Sequence, residues 1–256
     1  MSEEVKDMKD VQEETETQTD NKQEMPFTPN EGKNLVITTD DGSFERYPVK
    51  TPIIKSGDDL VALLNELVKP YLQEGDMVYM SEKILAISQG RAFKIEDIKP
   101  SRLARFLTKF VYKSPYGIGL GMPETMELAI RSVGRPKIIF AAIISGICKI
   151  FGKRGVFYNI LGPDARAIDG PCDCTIPPYN GYAKMAPAKP HEAAKQFTEA
   201  MGGCKVIVVD ANDIGVNILG KPVEELPDEY FAKIFKDNPL GQGHEQTPLC
   251  IVRKIG

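Results

Sequence analysis

The hydrophobic and polar positions of the chain follow two periods, one typical of strands and one typical of helices. Residues 34–39 form a short β-rich run that ends in Asp40-Asp41-Gly42, a sequence typical of a hairpin turn. Residues 60–68 carry apolar side chains at i, i+3, i+4, i+7 and i+8, which predicts one face of an amphipathic helix. Residues 77–84 then predict a buried strand. This order of elements favours a mixed or parallel sheet over a sandwich.

The second half of the chain continues the pattern. Residues 100–112 predict an amphipathic helix with a basic face, and residues 138–147 are the longest apolar run, which predicts a buried strand or a core helix. That run is well short of the roughly 20 residues that span a bilayer. A helix is predicted from Pro190 to about residue 201. The β-branched residues 205–209 then predict a central strand, with Asp210 at the end where open α/β sheets bind ligands.

Charge is unevenly distributed along the 256 residues, which carry 32 Lys or Arg and 36 Asp or Glu. Residues 1–33 hold ten acids and four lysines, so residues 34–256 hold 28 bases and 26 acids. The acidic leader buries too little apolar area to offset the entropy of ordering, which predicts a disordered tail. Residues 34–256 are expected to form the ordered region, as one unit or as two subdomains.

Composition narrows the class of protein. A hydrophobic content of 42% with 27% charged residues is typical of a soluble globular protein. The start of the chain lacks the basic and apolar residues of a secretory signal, so we expect a cytoplasmic protein without a membrane span. The sequence has no basic run interleaved with aromatic residues, so a nucleic-acid-binding groove is not expected.

Five cysteines show no repeating spacing, and we expect reduced thiols. Cys172 and Cys174 are the one close pair, and with only two histidines in the chain a structural zinc site is not expected. Residues 215–221 have the spacing of a phosphate-binding loop. However, Pro222 stands where a Ser or Thr hydroxyl must bind magnesium, so we predict that the chain has no P-loop.

Two acid-rich segments are candidates for a metal and phosphate site. Residues 169–173 lie in a Gly/Pro-rich stretch, and residues 210–213 directly follow the predicted central strand. Several carboxylates and amides on rigid loops suit a hard divalent cation with phosphate ligands. Asp and Asn are also the commonest turn formers, so either segment can be a simple turn. The same choice applies to His244-Glu245, which is either catalytic or a surface turn.

Several segments, in order and spacing, resemble the coenzyme F-420 γ-glutamyl ligase family. The matching segments are residues 51–60, 75–84, 89–91, 100–104, 169–180 and 208–213. The resemblance weakens through residues 109–160. It implies an α+β class, a two-part mixed-sheet fold of the F-420 γ-glutamyl ligase type that dimerises and has no P-loop. It also implies joining of the amine of glutamate to a carboxylate of a small acidic acceptor, with GTP as co-substrate and Mn or Mg as divalent metal.

The resemblance also assigns roles to individual positions. The implied nucleotide-binding residues are Thr51, Pro52, Ile53 and Ile54, with Lys83 facing the phosphates, and the implied metal-binding residues are Asp173, Asp210 and Gln242. An amide ligase also needs a base for the attacking amine, and Asp213 or Glu245 is the candidate.

Four positions depart from the family pattern: Ile87 replaces a second lysine, Gln89 a glutamate, Ile176 a nucleotide-binding asparagine and Ala211 a threonine. Loss of a lysine removes a charge that would offset the triphosphate. Two alternatives therefore stay open, namely a non-catalytic nucleotide- or metabolite-binding relative and a metal-dependent hydrolase that uses the same acids.

Overall fold

The computed structural model describes residues 25–111, 119–153, 155–212 and 215–256. The strands are β1 (Val36–Thr39), β2 (Gly42–Val49), β3 (Met77–Ser81), β4 (Ala92–Lys94), β5 (Tyr182–Lys184), β6 (Lys205–Ala211), β7 (Val216–Gly220) and β8 (Leu249–Lys254). The helices are α1 (Leu60–Leu67), α2 (Glu82–Ser88), α3 (Arg102–Leu107), α4 (Pro123–Val133), α5 (Arg135–Ile150), α6 (Val156–Leu161), α7 (Pro163–Arg166), α8 (Pro190–Ala200) and α9 (Asp228–Ile234).

Six strands form one mixed sheet in the order β1-β2-β8-β3-β6-β7, and β4 pairs with β5 in a second, two-stranded sheet. Only β3 and β6 are parallel, and the other neighbours in the large sheet are antiparallel. The predicted hairpin is present, with Thr39 opposite Gly42. The α+β class and the mixed sheet are therefore confirmed.

Both faces of the large sheet are covered. Along β6, Val206 and Val208 belong to one apolar cluster, and Ile207 and Val209 belong to another on the opposite face. The first cluster includes side chains of α1 and α8, and the second includes side chains of α9. This explains the continuous β-branched run of β6, because a strand that is buried on both faces needs no polar alternation.

A third apolar cluster lies among helices α3 to α7 and the small sheet, and we call this part the helical layer. Its fully buried side chains include Leu120, Met126, Leu128 and Ile138. Within the part of the chain that the structure describes, no helix is both long and apolar enough to cross a membrane. A separate core for the sheet and for the helical layer gives the two-part organisation of the fold.

Three predicted elements differ from the structure. The helix predicted for residues 100–112 is limited to α3 and is followed by a turn at residues 108–110. The strand predicted for residues 77–84 ends at Ser81, whose side-chain oxygen accepts a hydrogen bond from the backbone N–H of Lys83 and starts α2. The apolar run 138–147 is helical and lies within α5, but most of its large side chains are exposed rather than in a core.

Residues 25–33 lie against the body of the protein. The ring of Phe27 meets that of Tyr71 with centroids 4.9 Å apart. The side-chain amide of Asn30 donates to the hydroxyl of Thr247 at 2.8 Å. The remainder of the predicted tail, residues 1–24, lies outside the described residues.

A buried ion pair ties β2 to the segment that follows α9. The side chain of Arg46 is fully buried, and its guanidinium donates to both carboxylate oxygens of Asp237 and to the carbonyl of Asn34. Partial burial would raise the pKa of Asp237, but the hydrogen bond and charge of Arg46 outweigh it and hold this pKa below its usual range. The pair is therefore a source of acid-sensitive stability.

Candidate functional site

The topology of the large sheet brings most of the predicted site segments to one edge. In the parallel pair β3–β6, Ser81 lies opposite Val209, so Lys83, just after β3, and Asp210, the second-last residue of β6, lie at neighbouring strand ends. β8 runs antiparallel to β2 and β3, with Leu249 opposite both Val49 and Met80. The segments after β2 and before β8, which hold residues 51–54 and 238–248, therefore meet this edge as well. We call it the carboxyl edge.

Four charged side chains form the centre of the carboxyl edge. Glu82, the first residue of α2, is 3% exposed, and one of its carboxylate oxygens accepts a hydrogen bond from the ammonium of Lys184 at the end of β5. The same ammonium lies 3.4 Å from a carboxylate oxygen of Asp169. Asp210 is half-buried beside them and its charge acts on both Glu82 and Lys184. The other carboxylate oxygen of Glu82 is buried without a hydrogen-bond partner.

Burial and mutual charge set the pKa values of this cluster. Burial raises the pKa of Glu82, and the charge and hydrogen bond of Lys184 only partly oppose it. Burial alone would lower the pKa of Lys184, but the charges of Glu82 and Asp169 raise it. Burial and the charge of Asp169 raise the pKa of Asp210, while Lys184 and Lys83 pull it down. The carboxylates of Glu82, Asp169 and Asp210 therefore repel one another, and together they attract cations.

The structure brings two of the predicted site residues, Lys83 and Asp210, to the same place. Lys83 is exposed in the first turn of α2, and its charge acts on the carboxyl of Asp210. An ammonium free to reach solvent beside a half-buried carboxylate is an arrangement that can hold phosphate and a metal ion together.

Residues 51–54 are held between two loops. The backbone N–H of Thr51 donates to the carbonyl of Gln246 at 3.2 Å, and the side-chain amide of Gln246 donates to the carbonyl of Thr51 at 2.6 Å. The hydroxyl of Tyr179 donates to the carbonyl of Ile54 at 2.7 Å. Thr51 and Ile54 are buried, while Pro52 and Ile53 between them are exposed. The segment is thus fixed in place with its middle open to a ligand.

The loop before β8 is organised by Glu245. Its carboxylate accepts a hydrogen bond from the backbone N–H of Gly243 at 2.7 Å. A Cβ at Gly241, where φ is +80°, would lie 2.4 Å from the Glu245 carboxyl carbon, so the side chain folds closely over a loop that needs glycine. Gln242 is exposed at the tip. Among the described residues no hydrogen bond or ion pair joins Gln242 or Glu245 to Asp210, and their predicted roles stay predictions.

The segment that holds Asp173 differs from expectation in its cysteines. Cys172 and Cys174 are joined by a disulfide, so the expectation of reduced thiols is wrong for this pair. They are two residues apart with Cα atoms 5.2 Å from each other, which is within bridging distance. Asp173 between them is exposed, and its predicted metal role stays a prediction. Asp213, the other candidate base, lies outside the described residues.

Sequence reasoning missed Glu82 and Lys184. Glu82 directly follows a buried strand, which is a signal that was available, but the strand was predicted to run through it. Lys184 has no local signal, because its partner is 102 positions away along the chain. Gln89, one of the four departures, has a structural partner, since its amide both donates to and accepts from the backbone of Ala188. A glutamate cannot make both of these bonds.

The donor atoms at the carboxyl edge fit a hard divalent cation. Within the described ranges no group of three or more His, Cys, Asp or Glu side chains has the geometry of a metal cage. Magnesium at phosphate sites is commonly bound by only one or two carboxylates together with water and substrate phosphates. Asp210 and the nearby Asp169 can supply these one or two carboxylates.

Comparison with known proteins shows the family of the chain. The family model described as F420-0:Gamma-glutamyl ligase matches residues 48–217, which is more than half of the chain and includes most of the carboxyl edge. The chain belongs to the F420-0:gamma-glutamyl ligase family. The resemblance inferred from the sequence is thereby confirmed, and the chain is a divergent member of a family of ligases.

Curated relatives show how far the family similarity extends. The chain is 28% identical to the uncharacterized protein MJ1361 of Methanocaldococcus jannaschii over 71% of its own length and 62% of the relative. It is 25% identical to the coenzyme F420:L-glutamate ligase of Archaeoglobus fulgidus over 41% of the chain and 40% of that enzyme. Identity to the Methanosarcina acetivorans ligase is 37% over 24% of each chain. The chain thus matches less than two thirds of the length of these relatives.

Proposed function

We propose that this protein is a nucleotide- and divalent-metal-dependent amide ligase that joins an amino acid, glutamate, to a carboxylate of a small acidic acceptor. The observation that carries the proposal is the position of Lys83 beside Asp210 at the carboxyl edge, within the segment that matches the ligase family. GTP as the nucleotide and a homodimeric assembly are parts of the same proposal.

The proposed reaction has two steps. An oxygen of the acceptor carboxylate attacks the terminal phosphorus of the nucleotide, which forms an acyl phosphate and releases the nucleoside diphosphate. The amine of glutamate then attacks the acyl carbon, the C–O bond to phosphate breaks, and an amide and inorganic phosphate leave. The amine must also lose a proton, and Asp213 or Glu245 is the proposed acceptor.

The chain's own residues have distinct parts in this scheme. Lys83 would neutralise phosphate charge from the exposed first turn of α2, and residues 51–54 would contact the nucleotide through their open middle. Asp210 and Asp173, with Gln242, would hold the metal, and the geometry adds Asp169 as a further carboxylate. A bound divalent cation would spread the charge that builds on the transferring phosphoryl group.

The test is a ligation assay on the full chain with GTP or ATP, Mn²⁺ or Mg²⁺, glutamate and a set of small carboxylic acid acceptors. Product mass and released phosphate should appear together, and Asp210→Asn should abolish both. Asp41→Asn is a suitable control, because Asp41 is exposed in the β1–β2 turn at the opposite edge of the sheet. Absence of turnover with every nucleotide and acceptor would refute the ligase proposal.

A second candidate is a non-catalytic nucleotide-binding relative. The specific observation in its favour is that Lys184, an ammonium of the chain itself, already contacts two carboxylates of the cluster. Calorimetry of nucleotide binding, combined with the ligation assay, distinguishes the ligase from the binding protein. Metal-dependent nucleotide binding that is weakened in Asp210→Asn but accompanies no turnover supports the binding protein, whereas turnover that depends on Asp210 supports the ligase.

A further inference from the structure

Helix α5 is apolar on two opposite faces. Ile138 and Ala141 are fully buried in the core of the helical layer. The opposite face exposes a row of large apolar side chains at helical spacing, followed by one more residue just past the helix. We call this set the α5 stripe: Ile139 (42% exposed), Phe140 (57%), Ile143 (57%), Ile147 (49%), Ile150 (82%) and Phe151 (77%). A surface helix normally turns a polar face to water, so the stripe indicates a partner.

Charge is segregated onto the same part of the molecule. The described residues 98–111, 119–123, 135–153 and 155–163 contain eight Lys or Arg and no Asp or Glu. These residues also include eight of the eleven large apolar side chains that the structure shows as exposed, with Phe106 of α3 and Phe110 shortly after it in addition to the stripe. The partner must therefore be both apolar and negatively charged.

A second copy of the chain, a nucleic acid and the acidic residues 1–24 each fit the α5 stripe less well. Arg135 and Lys149 are exposed at the two ends of α5, so packing of a second copy along α5 brings basic residues together with no acid to pair them. Four of the six stripe residues are isoleucines, which do not stack on nucleic-acid bases. The acidic residues 1–24 contain only four apolar side chains, none aromatic, which are too few to cover the stripe.

We propose that the α5 stripe and its basic flanks form a peripheral docking face for membranes that contain anionic lipids. The 16 residues of α5 make a rod about 24 Å long, which suits a helix that lies in the plane of the interface. The isoleucine and phenylalanine side chains enter the boundary between headgroups and acyl chains. Arg135, Lys149 and Lys153 meet the negative headgroups. This assignment goes beyond the proposed ligase reaction and does not depend on it.

The experiment is co-sedimentation of the full chain with vesicles of phosphatidylcholine alone and of phosphatidylcholine mixed with phosphatidylglycerol. The protein should bind the anionic vesicles, bind the neutral ones much less, and dissociate as salt is added. Phe140→Ser combined with Ile147→Ser should lower partitioning more than tenfold, because each removes several buried methylene equivalents. The control Val36→Ser removes an apolar side chain that is 42% exposed on β1 and should leave partitioning unchanged.

A charge variant gives an independent measurement if the apolar double variant misfolds. Lys149→Ala should lower partitioning roughly fivefold, whereas Lys195→Ala, on the exposed side of α8, should not. Folding of each variant is checked by circular dichroism. The proposal is overturned if the folded full chain does not bind anionic vesicles, or if the stripe variants instead abolish self-association in sedimentation velocity while vesicle binding is absent.

Discussion

Replacement of Lys184 by Met tests whether the charge cluster at the carboxyl edge is truly buried and coupled. The side chains of Lys184 and Glu82 are 9% and 4% exposed. Removal of the ammonium leaves the Glu82 carboxylate buried, with one oxygen that already lacks a partner. Breaking a buried ion pair by removing one partner costs about 3–5 kcal/mol. The double variant Glu82→Gln/Lys184→Met should recover most of this loss, because the uncompensated charge is then gone.

The loss in Lys184→Met should also depend on pH in a defined direction. Burial raises the pKa of Glu82 in the folded protein, and without the opposing charge of Lys184 this pKa lies higher still. A carboxyl whose folded pKa exceeds its unfolded pKa of 4.5 stabilises the fold below the unfolded value, and this stability is lost as pH rises through the folded value. The destabilisation should therefore be larger at about pH 8 than at about pH 5.

Urea unfolding followed by circular dichroism at the two pH values measures both effects. Lys94→Met is the matched control, since Lys94 lies on the neighbouring strand β4, is 51% exposed and pairs with Glu96 only at 3.9 Å. Such an exposed pair contributes at most about 1 kcal/mol. If Lys184→Met costs no more than this control, or if its cost is the same at both pH values, the electrostatic account of the cluster is wrong.

Three further changes test other parts of the fold by urea or thermal unfolding. Asp237→Asn should cost about 2 kcal/mol at neutral pH by leaving the buried guanidinium of Arg46 without a counter-charge, a figure reduced for the 39% exposure of Asp237. Because the pKa of Asp237 is lowered, this cost should disappear as pH falls through that lowered value. Gly220→Ala should cost about 2–3 kcal/mol, since its Cβ would lie 2.2 Å from a backbone carbonyl oxygen, whereas Gly181→Ala meets no atom within 4 Å and should be near neutral. Asp59→Ala should cost about 1 kcal/mol by removing the carboxylate that accepts from the backbone N–H groups of Val61 and Ala62 in the first turn of α1.

The sequence predicts several strands and helices of the fold well because hydrophobic periodicity is a local property of the chain. The hairpin, α1, α8 and the central strand β6 all lie where their patterns place them. The carboxyl edge follows from the same patterns, since Asp210 ends a predicted strand. The order of the strands in the sheet does not follow, because the pairing of β8 between β2 and β3 joins segments far apart in the chain.

The residues that form the site are harder to predict from the sequence than its position in the fold. Glu82 and Lys184 are 102 positions apart, and a buried lysine has the same local pattern as an exposed one. The end of β3 was missed because residues 77–84 are mostly apolar, while the hydroxyl of Ser81 begins a helix within that run. For α5 the apolar pattern predicted a buried strand or a core helix but did not show which of its apolar faces enters the core.

The balance of charge at the carboxyl edge gives a reason why the proposed nucleotide should need a metal ion. Glu82, Asp169 and Asp210 carry three potential negative charges against the two positive charges of Lys83 and Lys184, and Lys184 is occupied by its carboxylates. A triphosphate adds several negative charges beside a half-buried carboxylate, so Lys83 alone cannot offset the repulsion. Calorimetry should therefore show GTP binding with Mn²⁺ or Mg²⁺ and at least tenfold weaker binding with a chelator present. Asp210→Asn should reduce this difference in GTP affinity. Loss of a metal ligand should weaken binding with metal, and loss of a repelling charge should strengthen binding without metal. Equal affinity with and without metal in the unsubstituted protein would mean that the phosphates bind away from Asp210.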